Sequence, residues 1–331
     1  AGGGIGRHLH NPEMKLADPR EIRRVAAVGV GVIGRGWTAH FLRMGLDVIA
    51  CDPAPEAEQR LRRAVDDTWP TLERLGLAPG ATPGRLCFAP DIASAVEQAQ
   101  FVQENVPESQ ELKTNVLCQI AAAAPASTVI ASSTSGIPMT EMQPGCAHPE
   151  RCIVGHPFVP PYLVPLVEVV PGKQTAAEVT AWTVDFYAAM GKQPLRLDRE
   201  LPGFLADRLL EAVWREALHL IARGEATVEE IDAAMVHGPG LRWAVLGPCL
   251  TYHLGGGDGG MEHFLDQFGS ALELPWSFMD APALTPALRE QLVEGCRRVA
   301  SGRSMRELEQ ERDDCLIQIL AALEDCRSKK R

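Results

Sequence analysis

No apolar run in this chain approaches the ~20 residues needed to cross a bilayer, no C-x-x-C pair occurs among its nine cysteines, and basic residues are in deficit. Each absence excludes a class. Without a spanning run, and with residues 1–20 lacking both the basic start and the apolar core of a signal peptide, no membrane or export segment is expected. Nine cysteines cannot all pair within one chain, so reduced thiols in a cytoplasmic protein are expected. Lysine and arginine number 32 against 43 aspartates and glutamates, a formal balance of −11, which argues against nucleic acid or an anionic membrane as partner. No metal is expected, and there is neither an internal repeat nor a low-complexity block. Residues 1–22 show no hydrophobic period and read as a loose leader, with Met14 nearer the natural beginning.

What is present suits a folded protein. The 331 residues are 46% hydrophobic and 23% charged, enough for one or two domains with real cores. From Arg24 onward short apolar runs alternate with longer segments of helical period, the pattern of a mostly parallel sheet with crossover helices in an α/β domain. Strands are expected at Arg24–Val30, Asp47–Asp52, Arg85–Phe88, Phe101–Val106, Thr128–Ser132, Arg151–Phe158, Leu166–Val170 and Gln193–Leu197. Helices are expected at Ile33–Met44, Pro55–Leu75 and Ala176–Met190. After Leu201-Pro202-Gly203 the patterns turn wholly helical, as at Phe204–Ala222 and Val228–Met235, with Thr227 and Glu230 at capping-box spacing. Gly255–Gly260 reads as a flexible loop, and helices over Pro286–Leu323 close the chain. The division is therefore a leader at 1–22, a sheet domain at 23–199 and an all-helical domain at 200–331.

Gly29-Val30-Gly31-Val32-Ile33-Gly34 is G-x-G-x-x-G set directly after an apolar strand and before a helix. That context gives the motif its weight. The glycines allow a tight turn, approach of a pyrophosphate to the backbone, and close packing of helix on strand, whose amino end then offers free N–H groups to phosphate. Asp52 ends the second strand, where a carboxylate meets the adenosine ribose and repels a 2′-phosphate, so NAD is the expected cofactor.

A second constellation lies further on. Ser132-Ser133-Thr134-Ser135 follows an apolar strand, His156 ends the next, and Glu168 interrupts the apolar run Leu166–Val170. A charge in a buried strand costs several kcal/mol unless it has a partner. His156 on the neighbouring strand is the candidate, and a carboxylate-held histidine is a general base with its tautomer fixed. The pattern alone equally allows a core histidine and a glutamate at a solvated edge.

Taken in order, Gly29–Gly34, Asp52, Ser132–Ser135, Gly155-His156-Pro157-Phe158, Leu166–Val170 and Pro202-Gly203-Phe204 resemble the 3-hydroxyacyl-coenzyme A dehydrogenase superfamily. The resemblance implies an NAD-binding Rossmann domain, a helical domain that makes a homodimer, and a catalytic pair here formed by His156 and Glu168. It also implies Ser135 on the substrate oxygen and Glu104 near the nicotinamide end of the cofactor. Two positions depart from the common pattern. Val159 and Asp207 stand where the family carries asparagine, and Pro53–Leu75 balances Arg60, Arg62 and Arg63 against Glu56, Glu58, Asp66 and Asp67. Both features point away from a polyanionic thioester.

Gly203–Leu209, Leu241–Ala244 and Leu250–Leu254 resemble bacterial L-carnitine 3-dehydrogenases, while Gly247-Pro248 is shared with L-gulonate 3-dehydrogenase and lambda-crystallin. The expected substrate is thus a small 3-hydroxy acid, with carnitine ahead of gulonate. Carnitine's trimethylammonium lies one carbon from its hydroxyl-bearing carbon, so its binding surface must be close to His156. Phe158, two residues on along an extended strand, faces the same side and could hold the cation by its ring, or it could simply pack a domain interface. Trp243 and Asp207 are further candidates.

Overall fold

A computed structural model of the chain describes residues 15–244, 247–270, 277, 283, 285–288, 290 and 301–329. Eight strands form one sheet: β1 (Arg24–Val28), β2 (Asp47–Cys51), β3 (Leu86–Phe88), β4 (Phe101–Glu104), β5 (Val129–Ser132), β6 (Cys152–Pro157), β7 (Leu166–Pro171) and β8 (Gln193–Arg196). Their order is β3-β2-β1-β4-β5-β6-β7-β8, and every neighbouring pair is parallel except β6 with β7. All eight expected strands are present, seven of them trimmed by a residue or two where the run passes into its loop and β7 extended by one residue to Pro171.

The central strands are mostly apolar because both faces are covered. On β4, Phe101 enters one core and Val102 the other; on β5, Val129 and Ala131 oppose Ile130 in the same way. One face is closed by α1 (Val32–Arg43), α2 (Ala57–Arg74) and α6 (Ala177–Ala189), whose Trp37, Phe41, Leu61, Trp182 and Phe186 fill it. The other is closed by α3 (Ile92–Val96), α4 (Gln110–Ala123) and α5 (Met139–Met142) through Val96, Leu117, Ile120 and Met139. Because β2 and β4 flank β1 on opposite sides, the connection from β1 to β2 and the crossover from β3 to β4 run in opposite directions and open a crevice at the carboxyl end of β1.

The chain divides into two compact units between Leu205 and Ala206. In the second, α7 (Ala206–Ala222), α8 (Val228–His237), α9 (Pro239–Trp243), α10 (Pro248–Gly255), α11 (Gly260–Phe268) and a helix over Met305–Ser328 are described. The capping box at α8 is complete, with Thr227 and Glu230 each satisfying the other's backbone donor.

Three expectations need correction. Residues 15–22 are no loose leader: Ile22 is fully buried, Leu16 packs on the first core and Trp182 Nε1 donates to the Ala17 carbonyl at 2.6 Å. Residues 1–14, and 291–300 in the expected closing helices, lie outside the described residues. Gly255–Gly260 is not a plain loop, since Gly257–Gly259 forms a 3-10 turn between α10 and α11. Finally, Cys118 on α4 and Cys146 are joined as a disulfide, so not every thiol is reduced.

Candidate active site

At the crevice β1 gives way to the glycine-rich turn. Gly29 has φ +86°, the left-handed region that favours glycine, and its N–H donates to the Cys51 carbonyl at 2.9 Å. A β-carbon on Gly34 would fall 1.9 Å from the Gly29 carbonyl oxygen, whereas one on Gly31 would meet nothing within 4 Å. Two of the glycines therefore serve the turn itself. Gly31 faces open space, so what it leaves room for is not protein. Gly31 also begins α1 without a side-chain cap, leaving the helix's first N–H groups to an outside acceptor.

That space is a cavity of about 730 Å³ walled by Val30, Val32, Ile33 and Asp52 on one side and by Ile92, Leu112 and Val116 on another. Half-buried Asp52 accepts from the Val30 N–H and the Ala54 N–H, both at 2.9 Å, so its carboxylate is fixed relative to the turn. Backbone donors, a fixed carboxylate and apolar walls suit phosphate, ribose and adenine respectively. These residues fit NAD. Cys51, also on the wall, has its thiol pushed up to about 12 by burial and is inert.

The exit of β4 supplies the polar end. Glu104, expected at the nicotinamide end, is fully buried and is not among the residues lining the cavity. Its oxygens accept from Lys113 Nζ at 3.0 Å, the Val106 N–H at 2.6 Å and the Ser132 hydroxyl. Burial pushes its carboxyl up against the opposing pull of Lys113. The carboxylate that does reach the wall is Glu108, whose Oε1 accepts from the Thr134 hydroxyl at 2.6 Å and the Ser135 N–H at 3.1 Å. Lys113 and Ser135 line the same wall. Glu108 was open to detection as the second acid leaving the strand, four residues after Glu104.

Behind the wall, Gln103 Nε2 donates to Ser133 Oγ at 2.8 Å and to the Gly155 carbonyl at 3.2 Å, and its oxygen accepts from the Tyr187 hydroxyl at 2.7 Å. It ties the ends of β4, β5 and β6 together. An amide inside an apolar strand is the same signal as Glu168, and it marks a residue the sequence reading missed.

His156 and Glu168 face each other directly in the antiparallel pairing of β6 and β7. Nδ1 of His156 lies 2.9 Å from Glu168 Oε2, and Oε1 of the same carboxylate accepts from the Leu205 N–H at 3.0 Å. Both side chains are buried, which excludes the solvated-edge alternative for Glu168. With the carboxylate on Nδ1, the ring carries its proton there and its basic lone pair on Nε2. The Phe158 ring lies 4.8 Å from the imidazole and the Phe204 ring 5.6 Å. Ser135, by contrast, is exposed, at the carboxyl end of β5 next to β6. Asp207, half-buried in the first turn of α7, and Trp243, 41% exposed at the end of α9, belong to the second unit.

Comparison with known proteins bears on the whole chain. A sequence model described as 3-hydroxyacyl-CoA dehydrogenase, NAD binding domain, matches residues 24–201, and one for the C-terminal domain matches 203–295. The chain is 56% identical to the L-carnitine dehydrogenase of Streptomyces griseus, over 92% of this chain and 91% of that one. It is 51% identical to the L-carnitine dehydrogenase of Pseudomonas aeruginosa, over 93% and 96%. Among solved structures, an NAD+-dependent 5-formyl-3-hydroxy-2-methylpyridine 4-carboxylic acid 5-dehydrogenase superposes with a TM-score of 0.77 at 30% identity, covering 92% of this chain and 99% of that one. The (S)-3-hydroxybutyryl-CoA dehydrogenase of Ralstonia eutropha gives 0.60 at 26% identity, covering 83% and 94%.

Proposed function

The chain belongs to the 3-hydroxyacyl-CoA dehydrogenase family, and from that premise we propose that it oxidises the 3-hydroxyl of L-carnitine to 3-dehydrocarnitine with NAD. The choice of substrate is supported by relatives named L-carnitine dehydrogenase that match over nine-tenths of both chains. The chemistry is carried by one observation, the buried His156–Glu168 pair at 2.9 Å.

When bound, NAD would supply the hydride acceptor for C3. Gly29–Gly34 and Asp52 would hold its pyrophosphate and adenosine ribose, with Glu108 and Lys113 on the wall of the same cavity. Nε2 of His156 takes the hydroxyl proton as the carbon–hydrogen bond breaks, while Glu168 stabilises the imidazolium. The Ser135 hydroxyl donates to the oxygen as it becomes a carbonyl. The Phe158 ring, beside the imidazole, offers the cation–π surface that a trimethylammonium one carbon away requires, worth ~0.5–2 kcal/mol. Glu104 holds Lys113 and the Val106 N–H in place. On α2 one of the arginines, Arg62, is paired with Glu58 at 2.7 Å.

Two wider assignments accompany this reading. A homodimer is supported by the apolar side chains that α7 exposes, Leu209, Leu210 and Trp214. A cytoplasmic place is supported by dependence on the intracellular NAD pool, and no described helix is long and apolar enough to cross a membrane.

The test is NAD reduction with L-carnitine, L-gulonate and 3-hydroxybutyryl-coenzyme A. Turnover is expected with L-carnitine, and faster turnover on either rival would displace it. His156→Asn should lower kcat by about 10²–10⁴-fold while NADH still binds; unchanged turnover would remove the histidine from the reaction.

A further inference from the structure

The loop 158–165 joins β6 to β7 and begins with Phe158, two residues beyond the histidine. One buried side chain fastens it. Lys192, 4% exposed in the turn between α6 and β8, donates from Nζ to the Pro161 carbonyl and to the Val164 carbonyl at 3.1 Å. The same ammonium lies 5.1 Å over the ring of Trp37 on α1. Pro161 in turn packs on α1 where Gly36 has no side chain, since a β-carbon there would fall 2.5 Å from Pro161 Cδ. Loop, cofactor helix and α6–β8 turn therefore converge on one buried amine.

A buried ammonium ordinarily has a carboxylate beside it. Among the described residues, the hydrogen bonds and ion pairs of Lys192 include none. The neighbouring elements present His40 and Arg43 from α1, Tyr187 from α6 with its hydroxyl on Gln103, and Tyr162 from the loop. His40 is buried, with Nε2 2.9 Å from the Met190 carbonyl, and burial together with the Lys192 charge holds its pKa well below the usual value. Burial, reinforced by Arg43, lowers the Lys192 ammonium to about 7.

We propose that Lys192 is a positioning residue for substrate binding: charged, it holds the loop 158–165 against the cofactor helix and so keeps Phe158 where the substrate's cationic end binds; neutral, it loosens that hold. The charged form makes charge-assisted hydrogen bonds to two carbonyls and a cation–π contact. The neutral amine keeps only weaker N–H bonds. The proposal rests on the L-carnitine reading.

The measurement is the dissociation constant of L-carnitine from the dead-end complex with NADH, followed by NADH fluorescence at pH 6 and pH 9. Lys192→Met should bind L-carnitine about three- to tenfold more weakly than wild type at pH 6 and equally at pH 9. Lys192→Arg, charged at both pH values, should match wild type at pH 6 and bind more tightly at pH 9. A methionine variant equal to wild type at pH 6, or equally weakened at both pH values, overturns the proposal. Should that variant not fold, the arginine variant decides, since equality with wild type at pH 9 overturns it alone. L-carnitine that fails to bind the wild-type complex at pH 6 overturns the substrate reading and this proposal together.

Discussion

At the scale of single residues, the wall of the cofactor cavity depends on a buried ion pair. Glu104 and Lys113 are both enclosed, and together they clasp Val106 by its N–H and its carbonyl, at 2.6 and 3.0 Å. Such a pair contributes little net stability when intact, but removing one member strands the other's charge. Lys113→Met is accordingly expected to lower the unfolding free energy by about 3–5 kcal/mol. Changing both residues to apolar ones of similar volume should cost much less, as urea denaturation of the two variants would show. The surroundings of Glu104 were not legible in the sequence: a strand-end carboxylate can face a ligand or be held by protein donors, and its bonds to Lys113 and Ser132 come from residues 9 and 28 positions away.

At the scale of elements, the glycine-rich turn separates two demands that the motif states as one. Gly34→Ala would push a β-carbon into the Gly29 carbonyl and should destabilise the fold by about 1–3 kcal/mol. Gly31→Ala meets no protein atom, so stability should stay within about 1 kcal/mol while NADH affinity falls. Urea melts set against NADH titration would reveal the opposite profiles. Elements of this kind were readable because periodicity and turn chemistry are local, and so the eight strands, α1, α6 and the α8 capping box stand where the sequence puts them. The short helices α3 and α5 were not readable. Each has four or five residues, too few to show a helical period, and is held by the sheet it covers. The hydrogen-bond hub at Gln103 was equally hidden, since its partners Ser133, Gly155 and Tyr187 lie 30, 52 and 84 residues away along the chain.

For the whole molecule, charge and pH meet at Lys192. Its pKa of about 7 in the fold lies below the ~10.4 of an unfolded lysine, so between those values the unfolded chain binds a proton that the folded chain does not. Stability from this group is complete above ~10.4 and declines as pH falls towards about 7. Wild type should therefore gain unfolding free energy relative to Lys192→Met between pH 7 and pH 9.5, in urea melts at the two values. The formal charge of −11, which first served to set nucleic acid and membranes aside, says nothing of this cation among apolar residues. One further property follows from the reversal of direction between β6 and β7. The proton-handling pair is separated by only 12 residues and sits on a hairpin, whereas Asp52 must find the turn at Val30 across a whole crossover helix. Contacts so local close early and quickly during folding. A one-residue slip in that hairpin would turn Glu168 to the opposite face of the sheet, so the strand register chosen in this early step also decides whether the mature chain can move a proton at all.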